Sequence, residues 1–185
     1  MSSTQYWSPL ITAQGDGSTL TAAAAASMLP GQAKFPFPGC VLKIGDCFRL
    51  RAAGRISCAV TTPGTARIDW RWGTPVAWDS LAMNLNVVAQ TTQPWVLDVE
   101  LTARAIGSGT SANFMGLGTW VSAGAVGSPA PTAGGSGIFA LPYNTAPVVG
   151  TGFDSTVTNT IDSFYTQTVG TGSFTCHQYS VSYMT

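Results

Sequence analysis

The sequence predicts an all-β fold: a jelly-roll-like antiparallel β-sandwich with an extended N-terminal arm that contains at most one short helix. Apolar and polar residues alternate with a period of two in segment after segment, which is typical of half-buried strands. Turn residues, mainly glycine with proline, serine or threonine, separate these segments at short intervals. About nine strands in one chain fit two packed sheets, and about eight core strands with one arm strand would make a jelly roll.

The predicted arm spans residues 1–44, and the predicted β-sandwich domain spans residues 45–185. Ser18 suits the N-cap of a short helix over residues 19–29, which Pro30 and Gly31 would end. The next segment, FPFPG at residues 35–39, fits neither a helix nor a central strand. Each proline lacks a backbone donor and restricts the residue before it, so this segment is predicted to be extended.

Four aromatic side chains of the arm are candidates for contact with a partner. The arm has too little local structure to bury them, so they need either the edge of the core or a neighbouring subunit. These residues are Tyr6, Trp7, Phe35 and Phe37.

Residues 55–72 predict a β-hairpin with one apolar and one charged face. Pro63 presets φ for the first corner of a turn, and Gly64 accepts the positive φ that a type II turn needs next. A hairpin alone is marginal in water, so the apolar face is expected to pack against a second sheet. The alternating apolar residues are Ile56, Cys58, Val60, Ala66, Ile68, Trp70 and Trp72.

Further strands are predicted along the rest of the chain. The clearest is residues 95–106, where the odd-numbered positions are apolar and the even-numbered ones are mostly polar or charged. Gly116 and Gly118, within a strand over residues 113–122, indicate close approach by another backbone or an aromatic ring. A long loop follows at residues 124–137. The other predicted strands span residues 41–51, 81–87, 138–141, 159–169 and 174–184.

The composition limits the classes of partner. Of the 185 residues, 45% are hydrophobic and 9% are charged, and eight basic residues balance eight acidic ones. The neutral balance removes the attraction that nucleic acid or an anionic membrane requires, so neither is expected as a partner. No apolar run approaches the roughly 18 residues of a membrane span. So little charge favours a surface that is largely covered by other subunits.

No combination of residues predicts a catalytic or metal site. Asp98 and Glu100 share one strand face about 7 Å apart, a separation found in inverting glycosidases, but carboxylates are common on solvated faces. Cys176 and His177 are adjacent on a strand and therefore point to opposite faces. The cysteines lack zinc spacing and are expected to be reduced thiols; they are Cys40, Cys47, Cys58 and Cys176. We expect no enzyme activity, cofactor or metal.

Six of the eight basic residues lie between positions 43 and 71. One interpretation is cross-strand pairing with Asp46 and Asp69 on a solvated sheet face. The other is a weakly basic patch that docks on an acidic protein surface, for which Arg55, Arg67 and Arg71 are the candidate contact residues. The six residues are Lys43, Arg49, Arg51, Arg55, Arg67 and Arg71.

Three segments resemble small structural proteins of tailed-bacteriophage virions. They are FRLRAAGRIS at residues 48–57, TTPGT at residues 61–65, and Pro94-Trp95 leading into LTARAIGSGTS at residues 101–111. The resemblance covers residues 44–184 and leaves the arm poorly covered. It implies a single-domain β-sandwich that assembles into the particle, and it brings no catalytic motif from which a functional residue could be transferred.

The resemblance therefore implies a capsid decoration, cement or minor capsid protein that stabilises the phage head. The expected partners are the major capsid protein and further copies of the chain, as a homotrimer, because such proteins commonly sit at three-fold positions. The expected location is the outer capsid surface of the virion, with assembly in the host cytoplasm. The alternative is a tail or fibre module that binds a host-surface glycan through the loop at residues 124–137 and nearby aromatic residues.

Overall fold

The structure of the protein is a computed structural model, and it describes residues 6–58, 64–126 and 137–184. The described residues form twelve strands and one short 3-10 turn, Gly31–Ala33, with no α-helix among them. The strands are β1 (Trp7–Thr12), β2 (Ala26–Ser27), β3 (Phe35–Phe37), β4 (Cys47–Cys58), β5 (Thr65–Trp72), β6 (Val76–Asp79), β7 (Met83–Asn84), β8 (Gln90–Ala105), β9 (Asn113–Ser122), β10 (Ile138–Leu141), β11 (Asn159–Gln167) and β12 (Ser173–Met184).

The strands form two antiparallel sheets packed as a sandwich, which confirms the predicted fold class. Sheet A has the order β1-β12-β4-β8-β9-β10. Sheet B has the order β2-β11-β5-β6, with β3 also paired to β11 and β7 to β5. Four strands of sheet A, in the order β12-β4-β8-β9, have the spatial order of a Greek key, in which the last strand lies beside the first. The connection from β4 to β8 is not a hairpin, because β5, β6 and β7 lie between them in the sequence and belong to sheet B.

The hairpin predicted over residues 55–72 is wrong, because β4 and β5 lie in opposite sheets and do not pair with each other. Ile56 on β4 and Trp70 on β5 are both fully buried, so the two apolar faces meet across the core. Alternation shows that each strand has an apolar face but not whether two strands share a sheet. The predicted turn lies outside the described residues except for Gly64, which has a φ of +67°.

The helix predicted over residues 19–29 is also wrong. Leu20 exchanges two backbone hydrogen bonds with Phe174 of β12, and Met28 donates its N–H to Ser163 O of β11 at 2.9 Å. These bonds to both sheets hold the segment extended and override the helix propensity of its alanines. Further toward the N-terminus, β1 pairs with β12 at the edge of sheet A. The segment predicted as an arm thus supplies strands to both sheets.

The core contains two groups of aromatic rings. In the first, Trp120, Trp95, Phe174 and Tyr165 stack in sequence with ring centroids 5.6, 4.6 and 3.9 Å apart. Because Tyr165 lies on β11, this column joins sheet A to sheet B. The second group packs mainly edge to face or tilted, as is usual for aromatic pairs, and consists of Phe37, Phe48, Trp72, Phe114, Phe153 and Tyr183.

The predicted close approach at Gly116 and Gly118 is confirmed. A Cβ at Gly116 would lie 2.3 Å from Trp78 Cδ1, and one at Gly118 would lie 2.6 Å from Asp98 O. Trp78 also donates its indole N–H to Gly116 O at 3.1 Å. The glycine thus lets the edge of sheet B pack closely on β9.

Candidate assembly surface

The structure places the four aromatic candidates in different environments. Tyr6 is 72% exposed and Trp7, at the start of β1, is 37% exposed. Phe35 is partly buried against the core. Phe37 is buried and contacts Phe48 and Trp72, so it belongs to the core and is not available to a partner.

The three arginine candidates do not come together. Arg55 lies on β4, in sheet A, and its exposed side chain makes no hydrogen bond or ion pair with the described residues. Arg67 and Arg71 lie on β5, in sheet B, on the opposite side of the sandwich. No single patch therefore contains all three residues.

The outer face of sheet B is neutralised by pairing. Arg71 donates to Asp69 at 2.7 Å and lies 3.7 Å from the ring centre of Phe164, so a cation–π contact adds to the ion pair. Arg67 binds both oxygens of Asp79. Asp69 does pair with an arginine, but the prediction of a cross-strand pair on a solvated face is wrong, because Arg71 lies two residues away on the same strand and Asp69 is only 2% exposed. Arg67 pairs instead with Asp79 of β6, which was not among the predicted partners.

The outer face of sheet A exposes a row of apolar side chains across four strands. Val96 on β8 is the cross-strand partner of Ala53 on β4 and of Val121 on β9, and Val121 is in turn the partner of Ile138 on β10. Val96 is 49% exposed, Val121 39% and Ile138 64%. We call Ala53, Val96, Val121 and Ile138 the apolar row. Leu117, four residues from Val121 along β9 and opposite Glu100, is also exposed, by 52%.

Beside the apolar row lies a set of paired charges on β4 and β8, which we call the charge ladder: Arg49, Arg51, Asp98 and Glu100. Arg49 donates from Nε and Nη2 to the two oxygens of Asp98, at 2.9 and 2.6 Å, and Arg51 Nε lies 3.1 Å from Asp98 Oδ2. The hydrogen bonds from Arg49 lower the pKa of Asp98. The side chain of Glu100 is exposed and makes no hydrogen bond or ion pair with the described residues.

The apolar row was missed by sequence reasoning, although part of its signal was visible. Val96 sits at an even-numbered position of β8, where the alternation predicts a solvated side chain. One exposed valine is ordinary on a protein surface. The row forms only because the register aligns Val96 with Val121 and Val121 with Ile138, and the alternation within each strand does not specify that register.

Asp98 and Glu100 both lie on the outer face of β8, as the alternation predicted. Asp98 is bound by two arginines, which favour its ionised form and make it a poor proton donor. Cys176 is buried, and burial raises the pKa of its thiol to about 12. His177 lies at an irregularity of β12 between Cys176 and Gln178, where the alternation is interrupted. Its Nδ1 is 3.0 Å from Asp16 Oδ1, whereas Cys176 Sγ lies 3.5 Å from Gln178 O. The cysteine and histidine therefore do not form a nucleophile and base pair.

The tryptophans do not form an exposed platform for stacking a sugar. All six lie within the described residues, and every one except Trp7 is at most 3% exposed. The loop that was considered for glycan binding, residues 124–137, lies mostly outside the described residues.

Within residues 6–58, 64–126 and 137–184, no group of three or more His, Cys, Asp or Glu side chains could hold a metal ion. No helix in this part of the chain could cross a membrane.

Comparison of the sequence with protein-family models and with curated proteins finds no match. The exposed apolar row and the adjoining charge ladder therefore form the candidate functional surface on geometry alone.

Proposed function

We propose that this protein is a structural component of a tailed-phage virion, a capsid decoration or minor capsid protein that stabilises the head. Its partners in this role are the major capsid protein and other copies of the chain, on the outer capsid surface. Residues 48–57, 61–65 and 101–111 resemble virion proteins, which suggests that the protein is part of the virus particle. The low charge of the chain suggests that other subunits cover much of its surface.

The observation that most supports an assembly role is the exposed apolar row on sheet A. Val96, Val121 and Ile138 are 49%, 39% and 64% exposed on neighbouring strands. Burial of such side chains against another subunit would contribute about 25 cal/mol per Å² of apolar area, before the costs of association are subtracted. Exposed apolar side chains bordered by charged pairs have the anatomy of a protein interface.

The proposal is tested by measuring occupancy on purified phage heads that lack the protein. We expect the wild-type protein to bind with a copy number proportional to that of the shell protein. The Val121→Asp variant should bind at least about tenfold more weakly, because its carboxylate would be buried without a partner. Val157→Asp, at a loop position that is 51% exposed, is the matched control and should bind normally.

A copy number matching the few subunits of a tail structure would instead indicate a tail component. Binding to isolated host-surface glycans, with no occupancy on heads, would replace the proposed function by the glycan-binding alternative.

A further inference from the structure

The charge ladder carries opposite signs on its two strands. Arg49 is the cross-strand partner of Glu100, and Arg51 is the partner of Asp98, so β4 presents positive and β8 negative charge at two successive positions. Consider two copies that face each other, related by a two-fold axis that lies between the copies, parallel to these strands and above the line midway between them. The rotation lays β4 of one copy over β8 of the other. It therefore places each arginine of one copy opposite a carboxylate of the other.

The apolar row is also complementary to itself about this axis. Ala53 is the cross-strand partner of Val96, so the rotation sets Val96 of one copy against Ala53 of the other, twice in the dimer. A large apolar side chain then meets a small one. A two-fold axis perpendicular to the strands would instead lay β4 on β4 and bring arginine against arginine, which is unfavourable.

The face is also large enough for a stable interface. Sheet A has six strands. With strands about 4.8 Å apart and outward side chains about 6.7 Å apart along each strand, four full strands and the shorter β1 and β10 give the face between Cys47 and Arg55 an area of about 650 Å². Each partner in a typical stable complex contributes about this area, and sheets packed face to face keep aligned strand directions.

We propose that the outer face of sheet A binds a second copy of this chain, face to face, about a two-fold axis that lies parallel to β4 and β8 and between them. This inference rests on the proposed assembly function and names the partner of its surface. Because the face is complementary to itself, it favours a two-fold dimer over the trimer that the resemblance to virion proteins implies.

The first test is sedimentation velocity of the full-length protein across the micromolar range. We expect the wild-type protein to sediment as a dimer and Val96→Asp to raise the dimer dissociation constant by on the order of 100-fold, because each dimer would bury two unpaired carboxylates. Val157→Asp should dimerise like the wild type. Circular dichroism melting of each variant verifies that the monomer is folded.

The second test uses two charge reversals that complement each other across the proposed axis. Glu100→Arg places arginine opposite Arg49 of the other copy, and Arg49→Glu places glutamate opposite Glu100, so each variant alone should be monomeric. In an equimolar mixture every opposed pair has opposite charge, and a heterodimer should form. Because the mixture restores association, loss of folding cannot account for the monomeric variants.

Three results would overturn the inference: a monomeric wild-type protein across this range, a Val96→Asp variant that dimerises normally, or a mixture that stays monomeric. A monomer that still occupies phage heads through Val121 would show that a capsid subunit covers the face, and the proposed function would stand. A dimer that never binds heads would support the two-fold interface and refute the proposed function.

Discussion

The rings of Trp95 and Phe174 stack with centroids 4.6 Å apart and planes inclined by 17°. Trp95 is on β8 and Phe174 on β12, with β4 between them in sheet A. Phe174 also stacks on Tyr165 of sheet B at 3.9 Å, so this one side chain contacts rings from both layers of the sandwich. Its position connects β8 to β11 and β12, which follow much later in the sequence.

Phe174→Ala should therefore destabilise the protein by about 3–5 kcal/mol, because the column would lose its central ring and leave a cavity that packed neighbours fill only partly. Urea unfolding followed by tryptophan fluorescence would measure the change. Phe139→Ala is the control, since Phe139 is only partly buried and contacts Tyr143 outside the column. Equal losses for both variants would show that the column has no special role.

Gly116→Ala should destabilise the protein by about 1–3 kcal/mol through overpacking. The added methyl group would lie 2.3 Å from Trp78 Cδ1 and 2.4 Å from Leu101 Cδ2, both in the buried core. Gly31→Ala is the matched control, because nothing lies within 4 Å of a Cβ at that position. Thermal melting of the two variants compares them directly, and a neutral Gly116→Ala would mean that sheet B shifts to accept the methyl group.

The sequence predicted the layers of the fold better than the connections between them. The alternation in β8 correctly separated core from solvent, since Trp95, Leu97, Val99, Leu101 and Ala103 are all buried. The assignment of β4 and β5 to one hairpin failed because the same alternation suits two strands that face each other across a core. The segment at residues 19–29 failed as a helix because its hydrogen-bond partners, Phe174 and Ser163, lie far away in the sequence.

The candidate surface was predictable only in its chemistry. The cluster of arginines and the pair Asp98 and Glu100 were visible in the sequence, but Arg49 and Arg51 pair with Asp98 of β8 and not with Asp46. Asp46 instead accepts a hydrogen bond from the hydroxyl of Tyr183 at 2.6 Å. Which charge meets which depends on the register of β4 with β8, and that register is fixed by the packing of the whole sheet.

Asp98→Asn should cost about 1 kcal/mol or less at neutral pH, because the ion pairs that it weakens are partly exposed. The pKa of Asp98 is lowered in the folded protein, mainly by the hydrogen bonds from Arg49. The ionised carboxylate therefore contributes stability above its unfolded pKa, and this contribution disappears as the pH falls through the folded pKa. Urea unfolding at a series of pH values should show the wild-type advantage over Asp98→Asn shrinking in acid; a constant difference would contradict the assignment.

Arg71→Ser should destabilise the folded protein, in contrast to a change at an ordinary surface arginine. Asp69 is 2% exposed and accepts a hydrogen bond from Arg71 Nε at 2.7 Å, so removal of the arginine leaves a carboxylate with little access to water. Loss of one partner of a buried ion pair costs about 3–5 kcal/mol, and the value here should lie toward the lower end because Arg71 itself is partly exposed.

Arg55→Ser provides the matched control for Arg71→Ser, since Arg55 is exposed and makes no ion pair with the described residues. Its unfolding free energy should stay within about 0.5 kcal/mol of the wild type. Urea unfolding at moderate ionic strength measures both variants. If Arg71→Ser were as stable as Arg55→Ser, solvent would have to reach Asp69 once the guanidinium is gone, and the outer face of sheet B would then be an ordinary solvated surface.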